Sequence, residues 1–600
     1  MRPASRILAA ALVAVGLLAV PAPARADDQS ISVNFAATTT APTYRASGWI
    51  YGMTENGAAP PGNFFTDIKF RAMRAGGAQL PGSGWVGGGY DRRWNATRAQ
   101  MLRTQALGGK FVLLPHDLWG ADGAGIARFP GDNGDWTDYN AFLTRVFADV
   151  RATGVAVEWD IWNEPNLSIF WNRSQAQYFE LWRRTYQRLR AEMPGTLIVG
   201  PSLAGVPSTG AGWWTQYLDH VKANSALPDI ISWHSLPGDP VANVAAADTS
   251  LAARGIPHTR PYQINEYGAG DEQNPGDGAW YITRLERAGA DGLRANWASG
   301  GNLHDDLGNL LLHNSAGQYQ TKGEWWVYRF YAGQAGTAVA STPSTGYDAY
   351  ATKTDGSAKV LIGGGRTTGT LTVNLQGLHT TSGIVTGNQV RVQVHRIPHN
   401  NGGAVSGPVA VQDQVVTLNG NATTVTLANT TVIDAYTITV LPPGATAGFS
   451  SVAVAQHSGM CLDNTDLRTT DGNQQQQYPC DGGPQQQWNF RPVTGVADTY
   501  TLVNRQSGKC LDVSGVSTAN GAVVHQWTCL AGAQNQQFTL RRVSYAGNDP
   551  RDHQLVARHS GKCVDVSGVS TAARAVVLQW TCNPIGQAAP LNQTWRLLTR

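Results

Sequence analysis

The C-terminal part of the chain, residues 449–600, contains the pattern that most limits how this sequence can fold, because it repeats three times. The segments SGMCLD, SGKCLDVSG and SGKCVDVSG place cysteines at 461, 510 and 563, and a second cysteine follows each at the same interval, at 480, 529 and 582. The units close with QQQW, NQQF and NQTW. Three such units predict a three-fold β-trefoil. The pairing that makes them equivalent is Cys461–Cys480, Cys510–Cys529 and Cys563–Cys582.

Residues 45–332 alternate short apolar segments with helical patterns. One helical stripe runs from Phe142 to Val150, and SQAQ (Ser174–Gln177) opens another helix as a capping box. A doubly wound open sheet is the alternative, but no glycine fingerprint for phosphate follows the first strand. Strands alternating with helices over this length therefore predict an α/β fold, the (β/α)8 TIM barrel. The predicted strands are Ala46–Gly52, Ile68–Arg74, Lys110–Asp117, Val155–Pro165, Leu197–Leu203, Ile230–Leu236, Tyr262–Gly268 and Gly292–Ser299.

Residues 333–443 change to a two-residue period. LTVNL, VRVQVH, TTVTL and AYTITVL alternate apolar and polar residues between Gly, Asn and Thr turns, which predicts an antiparallel β-sandwich after the barrel. SISVNFAA (Ser30–Ala37) has the same alternation, so we expect residues 27–44 to add a strand to this sandwich. Residues 444–448 form a predicted linker to the trefoil.

Residues 1–26 have the pattern of a secretory signal peptide. Arg2 and Arg6 precede the apolar run Ile7–Val20, and Ala24-Arg25-Ala26 has the small-x-small form of a cleavage site. A membrane anchor is the alternative, but the run is short for a bilayer span, and no later run approaches that length. We therefore expect a secreted, extracellular protein with oxidised cysteines and no membrane partner.

Cleavage at this point would remove three arginines and no acid. Lys plus Arg falls from 45 to 42 against 42 Asp plus Glu, so the mature chain has no formal net charge. With 20 Trp and 19 Tyr, such a chain is not typical of nucleic-acid binding and favours an uncharged ligand with apolar faces, such as a sugar. No His/Asp/Glu cluster has the spacing of metal ligands, and we expect a monomer that needs no metal or cofactor.

Two glutamates stand at predicted ends of barrel strands. Glu164, in WDIWNEPN, ends the fourth strand and Glu266, in INEYG, the seventh. Reactive groups of such barrels lie at these strand ends. Glycoside hydrolysis needs two carboxyl groups at one mouth, one protonated to donate to the leaving oxygen and one ionised to attack. Trp159, Trp162 and Pro165 would raise the pKa of Glu164. The alternative is that both glutamates are structural.

Other polar and aromatic residues near predicted strand ends are candidates for contact with substrate. We expect Asn163 to bind a sugar hydroxyl and Tyr267 to help hold Glu266 ionised, and either Arg71 or Arg74 could neutralise its surroundings. The remaining candidates, each of which could equally be structural, are His116, Trp119 and His234.

WNEPN followed about a hundred residues later by a strand-end Glu resembles the retaining clan A glycoside hydrolases. Family 39, with its β-xylosidases, α-L-iduronidases and arabinofuranosidase-type enzymes, fits best over residues 30–443. The resemblance implies Glu164 as acid/base, Glu266 as nucleophile and Asn163 as a sugar contact. The β-xylosidases tend to follow the nucleophile with an aromatic-Asn pair and Thr or Ser, whereas YGAG follows Glu266 here. Xylose- and arabinose-containing substrates therefore both stay open.

Each trefoil unit carries an acid, an aromatic ring and an amide that could bind a polysaccharide or oligosaccharide. The unit resembles the ricin-type lectin trefoil, carbohydrate-binding module family 13. That family often has Gln two residues before the aromatic; Gln476 keeps it, but His525 and Leu578 replace it, which makes the third site the weakest candidate. If the barrel is inert, the whole chain is a multidomain lectin. The predicted contacts are Asp463, Tyr478 and Gln485; Asp512, Trp527 and Asn535; and Asp565, Trp580 and Asn592.

Overall fold

The structure is a computed structural model, and its helices are too short or too polar, throughout the described ranges, to cross a bilayer. The predicted signal peptide and residues 444–447 of the predicted linker lie outside the described residues. The structure describes residues 28–599 except 124–125, 127, 258–259, 296–302, 316, 365–367, 444–447, 494–495, 497, 545–548, 550 and 586–589.

The predicted (β/α)8 barrel is confirmed: in the described ranges, eight parallel strands close on one another. The first and eighth strands meet at Gly48 and Leu293. A Cβ on Gly48 would lie 2.3 Å from Leu293 Cδ2 and 2.6 Å from the Gly292 carbonyl, so closure requires a glycine there. The barrel strands, in order, are Gly48–Ile50, Ala72–Ala75, Lys110–Leu113, Val157–Asp160, Leu197–Leu203, Ile230–Ser235, Tyr262–Tyr267 and Asp291–Arg294.

Helices surround these strands and cover them with apolar faces. Helix Thr137–Thr153 buries the predicted stripe from Phe142 to Val150 and ends at Gly154, which has a φ of +68°. A short hairpin of Leu311–His313 and Tyr319–Thr321 follows the last barrel strand. The helices are Asn63–Thr66, Tyr90–Ala106, Pro115–Trp119, Thr137–Thr153, Gln175–Glu192, Trp213–Ala223, Pro240–Ala252, Pro275–Ala288 and Gly323–Ala332.

The predicted capping box at Ser174 forms only in part. The Ser174 hydroxyl accepts from the Gln177 backbone N–H at 3.2 Å, so Ser174 is the N-cap of helix Gln175–Glu192. The Gln177 side chain instead donates to the Pro130 carbonyl and to Asp132, at 2.8 and 3.1 Å. A tertiary contact has therefore replaced the reciprocal bond of the box.

The β-sandwich is built from nine strands of the described chain around one apolar core. The N-terminal strand Gln29–Thr38 lies between Thr337–Thr342, to which it is antiparallel, and Gly369–Gln376, to which it is parallel. The sheet is thus not wholly antiparallel as predicted, because this strand precedes the barrel in the sequence, whereas the other strands of the sheet follow the barrel. The remaining strands are Tyr347–Thr354, Ser357–Gly364, Gln389–Ile397, Val409–Thr417, Ala422–Thr430 and Ala435–Leu441.

Helix Pro275–Ala288 joins the barrel to the sandwich. The Gly276 N–H donates to the Ile433 carbonyl at 3.1 Å. From the same helix, Arg284 and Arg287 donate to the buried carboxylate of Asp348 at 3.1 and 2.6 Å. This carboxylate has little access to water, so the two guanidinium groups are its main source of stabilisation.

The C-terminal domain is the predicted trefoil, and all six cysteines of the described chain form the expected bonds Cys461–Cys480, Cys510–Cys529 and Cys563–Cys582. It contacts the barrel through Arg505, which pairs with Asp67, and through Ser450, which accepts from Arg329 at 3.1 Å. Its strands are Phe449–Ala455, Cys461–Asn464, Gln475–Tyr478, Gln487–Pro492, Thr499–Asn504, Cys510–Val513, Val524–Trp527, Gln537–Arg542, Asp552–Ala557, Cys563–Val566, Val577–Trp580 and Trp595–Thr599.

We expect Asp348→Asn to destabilise the barrel–sandwich unit by about 2 kcal/mol, because Arg284 and Arg287 lose a buried charged acceptor. The matched control is Asp413→Asn, which removes the partner of Arg391 on a more exposed strand and should cost less than about 1 kcal/mol. Scanning calorimetry of both variants measures the difference. Equal shifts of the unfolding midpoint would show that the Asp348 contact is no stronger than a surface pair.

Candidate active site

Glu164 lies in the turn that follows the fourth barrel strand rather than at the strand end itself, since that strand stops at Asp160. Its backbone has a φ of +42°, and its N–H donates to the Ser202 carbonyl of the next strand at 3.0 Å. A residue with a Cβ rarely adopts this conformation, and it persists where surrounding contacts enforce it. The turn thereby aims the Glu164 side chain back over the mouth of the barrel.

Glu266 reaches the same point from the seventh strand. The pairing register shifts beside it on both neighbouring strands, which indicates a bulge that re-aims its side chain. Carboxylate oxygens of Glu164 and Glu266 and a ring nitrogen of His234 all lie within 4.8 Å of one another. All three residues are buried. The two glutamates that the sequence places on different strands thus face each other.

Arg74 holds this group together from the second strand. Its Nη1 donates to Glu266 Oε1 at 2.8 Å, its Nε to Asp160 Oδ2 at 2.7 Å and its Nη2 to Asn163 Oδ1 at 2.8 Å. Burial opposes the charge of Arg74, but Asp160 and Glu266 raise its pKa overall. Of the two arginines considered from sequence, Arg74 faces the carboxylates, whereas Arg71, which directly precedes the strand, donates to the Thr43 carbonyl.

Asp160, Ser202 and Asn265 form a polar layer beneath the glutamates that sequence reasoning missed. The Ser202 hydroxyl donates to Asp160 Oδ1 at 2.8 Å, and Asn265 donates to Asp160 Oδ2 at 2.8 Å and to the Ser202 hydroxyl at 2.7 Å. The available signal was an acid at position 160, next to the tryptophan of the same strand and four residues before Glu164. This layer orients Arg74 and, through it, Glu266 and Asn163.

His234, a predicted contact, bridges the two glutamates. Its Nδ1 lies 2.7 Å from Glu164 Oε1 and 3.5 Å from Glu266 Oε2. Burial lowers the pKa of His234 to about 4, so the ring is neutral near pH 7. Within the described residues, His234 Nε2 and Glu266 Oε2 are buried without a hydrogen-bond partner. An unpaired carboxylate oxygen at the centre of the site is suited to attack on a ligand.

The electrostatic environment differs between the two carboxyl groups. Burial raises the pKa of Glu164 to about 7, against the opposing charges of Arg74 and His116. Burial also raises the pKa of Glu266, where His234 and Arg74 oppose the shift and the charge of Glu164 adds to it. Of the two glutamates, Arg74 hydrogen-bonds Glu266 and not Glu164, and this bond favours the ionised form of Glu266. Glu164 is therefore the better proton donor of the pair.

His116 lies beside the pair, on the short helix after the third strand. Its Nδ1 is 2.7 Å from Asp117 Oδ1, and the Tyr51 hydroxyl donates to the other oxygen of Asp117. The imidazole meets the Trp162 ring edge-on, with centroids 4.8 Å apart. His116 Nε2 has no hydrogen-bond partner in the described part of the chain.

Three aromatic predictions are corrected by the strand and helix geometry. Trp119 packs in the core against Tyr139 and Phe142. Trp159 points outward and meets Phe147 edge-on, so it does not shield Glu164. Tyr267 follows Glu266 and faces the other side of the sheet, where it bonds the Ala46 carbonyl and Tyr328 instead of orienting Glu266. The distances from the Tyr267 hydroxyl are 2.9 and 2.7 Å.

The described residues include two groups with metal-ligand geometry, although their sequence spacing predicts none. One is the set Glu164, His234 and Glu266, and the other is Asp305, Asp306 and His313. Residues from distant strands build the first set, which is why spacing along the chain does not reveal it. Its arginine partner, Arg74, offsets the negative charge that would attract a cation.

A pocket of about 680 Å³ lies at the same end of the barrel. Its walls are loops that follow the first, second and eighth strands and include Glu55, Gln79 and His304. The His304 ring contacts Tyr51 with centroids 5.2 Å apart, and Tyr51 in turn bonds Asp117 beside His116. Neither Glu164 nor Glu266 lines this pocket, so it provides space at the barrel mouth to one side of the two carboxyl groups.

In the trefoil, each predicted aspartate is buried and held by side-chain amides. Asp463 accepts from Gln476 and Gln486; Asp512 from Asn535, Gln536 and the ring of His525; and Asp565 from Asn592 and Gln593. The predicted amide of the first repeat differs, because Gln485 donates to Asp481. Trp527 and Trp580 are 40% and 46% exposed, and Tyr478 is partly buried.

Comparison with known proteins agrees with the predicted trefoil. Residues 445–527 and 534–600 match the family described as ricin-type beta-trefoil lectin domain-like. The C-terminal segment is therefore a ricin-type β-trefoil, as its repeats predict.

A curated relative is the 3-O-alpha-D-galactosyl-alpha-L-arabinofuranosidase of Bifidobacterium longum subsp. longum, 27% identical over 186 residues. The match covers 29% of this chain and 15% of that longer protein. The solved structure of N2152 from Neocallimastix frontalis aligns over 70% of this chain and 100% of that chain, with a TM-score of 0.57 and 23% identity, which shows a shared fold. The GH39 enzyme from Xanthomonas axonopodis pv. citri aligns over 71% and 100%, with a TM-score of 0.47 and 15% identity.

We expect Arg74→Met to destabilise the protein by about 3–5 kcal/mol, because it leaves buried carboxylates unpaired. Arg71→Met, just before the same strand, removes a bond to one carbonyl and should cost about 1 kcal/mol. The penalty for Arg74→Met should shrink at low pH, where the facing carboxyl groups become protonated. Thermal unfolding measured across pH tests this, and a penalty independent of pH would indicate lost packing instead of lost charge.

Proposed function

We propose that the chain is a secreted retaining glycoside hydrolase that cleaves O-glycosidic bonds in xylose- or arabinose-containing plant cell-wall polysaccharide or its side chains. The observation that carries this proposal is the buried pair of Glu164 and Glu266, whose carboxylate oxygens lie within 4.8 Å of one another. Retaining enzymes keep the two carboxyl groups about 5–5.5 Å apart, whereas inverting enzymes need about 6.5–9.5 Å to admit a water.

In the first step, Glu266 Oε2 attacks the anomeric carbon and the bond from that carbon to the leaving oxygen breaks. Glu164, which is protonated below pH 7, gives its proton to that oxygen, and the alcohol leaves. The sugar is then held as an ester of Glu266. The Oε2 atom suits this role because Arg74 holds Oε1 and leaves Oε2 without a hydrogen-bond partner in the described residues.

In the second step, the ionised Glu164 removes a proton from a water molecule. The water oxygen forms a bond to the anomeric carbon while the ester bond to Glu266 breaks, which frees the nucleophile and returns the proton to Glu164. Two displacements on one carbon leave its configuration unchanged.

The neighbouring residues position these groups. Because Asn163 Oδ1 accepts from Arg74, the Asn163 amide N–H groups are the ones turned to a sugar hydroxyl. Neutral His234 can share a proton with Glu164 across their 2.7 Å contact without adding a positive charge. Arg74 serves as the counter-charge of Glu266 in the free enzyme.

The substrate class follows from partial similarity and from the accessory domain. The curated relative is named as an arabinofuranosidase, and its match covers part of this chain, so arabinose-containing side chains are one class that we propose. A ricin-type trefoil on the same chain supports a polymeric carbohydrate as target. Secretion rests on the signal-peptide pattern of residues 1–26 and agrees with the paired cysteines.

We expect Glu266→Ala to lose at least about 10⁴-fold in kcat on aryl arabinosides and aryl xylosides, because no group remains to attack the anomeric carbon. Added azide should rescue this variant and give a glycosyl azide of inverted configuration, whereas Glu164→Ala with azide should give the retained one. Product analysis by NMR distinguishes the two. Arg71→Met is the control for disturbance of the barrel.

Retention of full activity by Glu266→Ala would refute the assigned nucleophile. If the unaltered chain binds arabinoxylan or arabinogalactan but hydrolyses no glycoside in a broad panel, the barrel is inert and the chain is a multidomain lectin. An inverted product from the unaltered enzyme would refute the retaining mechanism.

The dependence of kcat/KM on pH should have a basic limb with a pKa of about 7, the value of Glu164 in the free enzyme. Above that pH Glu164 loses the proton that the leaving oxygen needs, so kcat/KM should fall about tenfold per pH unit. With an aryl leaving group that needs little protonation, Glu164→Gln should keep measurable activity and lack this limb. A limb that persists in Glu164→Gln would assign the titration to another group.

A further inference from the structure

One position recurs in each trefoil repeat beside the aromatic residue of a neighbouring repeat. Gly472, Gly521 and Arg574 each lie eleven residues after the first cysteine of their repeat, as the numbering 461, 510 and 563 shows. Their backbone N–H groups donate to the carbonyls of Gln526, Gln579 and Gln477, at 2.9, 2.9 and 2.8 Å. Each acceptor directly precedes the aromatic residue of its own repeat, so the three positions are equivalent by the pseudo-three-fold symmetry.

Glycine at this position leaves the aromatic ring of the neighbouring repeat accessible to a ligand. A Cβ built on Gly472 would lie 3.9 Å from Trp527 Cζ3, and one on Gly521 would lie 3.6 Å from Trp580 Cζ3. Both glycines have a φ of +82°, a conformation that favours glycine. With no side chain there, the rings of Trp527 and Trp580 stay exposed.

Arg574 breaks this pattern at the first repeat's ring. It keeps the left-handed backbone, with a φ of +69°, although it has a Cβ. Its guanidinium carbon lies over Tyr478, 5.7 Å from the ring centroid, within the distance of a cation–π contact. The guanidinium therefore occupies part of the ring face on which a sugar would stack.

Asp466 holds the arginine in this place. Arg574 Nη1 donates to Asp466 Oδ1 at 3.0 Å. Asp466 stands in the turn after Asp463, where the other repeats have Gly515 and Gly568, and all three have a positive φ, of 54°, 64° and 64°. Arg574 and Asp466 thus each occupy a left-handed position where the other two repeats have glycine. They also pair with each other across one site, which is unlike random surface variation.

We propose that the Arg574–Asp466 pair closes the first sugar site, so that the trefoil binds neutral sugars through its second and third repeats. The proposal rests on the carbohydrate-binding function proposed above. In the first repeat, the pair spans from the turn beside the buried Asp463 to the face of Tyr478, the two sides between which a sugar would bind.

In the third repeat, Leu578 replaces the glutamine of the family pattern, and this change leaves one oxygen of Asp565 available to a sugar. Asp463 and Asp512 use Oδ1 to accept from Gln476 and His525. Leu578 offers no donor at the matching position of the third repeat, where Asn592 and Gln593 both bond Asp565 Oδ2. Asp565 Oδ1 is then available to accept from a sugar hydroxyl beside the exposed Trp580.

The test uses the full chain with Glu266→Gln, so that polymer is not cleaved, and measures Kd for insoluble arabinoxylan by depletion. Trp527→Ala and Trp580→Ala should each weaken binding at least about tenfold, since each removes one of two linked sites. The double variant should keep only the binding of the barrel. Adding Arg574→Gly to the double variant should restore at least about fivefold tighter binding through Tyr478, because the opened ring can then stack on the apolar face of a sugar.

Asp466→Gly should reproduce the restoration, and Arg551→Ala, which removes a similarly exposed arginine elsewhere on the trefoil, should not. Glycine is compatible with the positive φ at 466 and 574, so both variants should fold. The inference is overturned if neither glycine variant restores binding, or if the double tryptophan variant keeps trefoil binding that Tyr478→Ala then removes. If binding stays as tight as that of the parent in the double variant and also after Tyr478→Ala is added to it, the trefoil does not bind this polymer and the proposed function of that domain fails as well.

Discussion

The barrel mouth depends on one buried guanidinium. Arg74 is almost fully enclosed, and its three donors bind Asp160, Asn163 and Glu266, which come from different strands or the turns after them. A buried ion pair adds little net stability, since desolvation cancels much of the attraction, but its directional bonds fix geometry. Without this guanidinium, Glu266 would be an uncompensated charge and Asn163 would lose the bond that orients its amide. The position of Glu164, one residue further along the same turn, depends on the same arrangement.

Much of the fold could be predicted from the sequence because its signals are local or repeated. The barrel strands appear as apolar runs, and the trefoil follows from equal cysteine spacing. The parallel pairing of Gln29–Thr38 with Gly369–Gln376 could not be predicted, because residues more than three hundred positions apart form it. The turn at Glu164 was also missed, since its strained backbone is imposed by Ser202 on the next strand.

For the candidate site, the sequence indicated which carboxyl groups to consider but not how they are held. Glu164 and Glu266 stood out through their strand-end positions. The choice between Arg71 and Arg74 needed the structure, because Arg71 precedes the strand that carries Arg74 and bonds a different part of the chain. The predictions for Tyr267 and Trp159 were wrong because adjacent residues on a strand face opposite sides of the sheet. A bulge next to Glu266 also shifts which residues of that strand face the barrel interior.

The contact between Arg505 and Asp67 joins the trefoil to the barrel. Burial raises the pKa of Asp67, with Arg505 opposing the shift, and a second bond joins Arg329 to Ser450. These two contacts join the trefoil to the barrel in addition to the polypeptide between them. The gain from joining two binding regions depends on whether their separation matches the spacing of sites on the ligand. For the proposed glycoside hydrolase, a trefoil held at one distance from the barrel would favour polymers whose branches are spaced to match that distance, a property that neither domain would recognise alone.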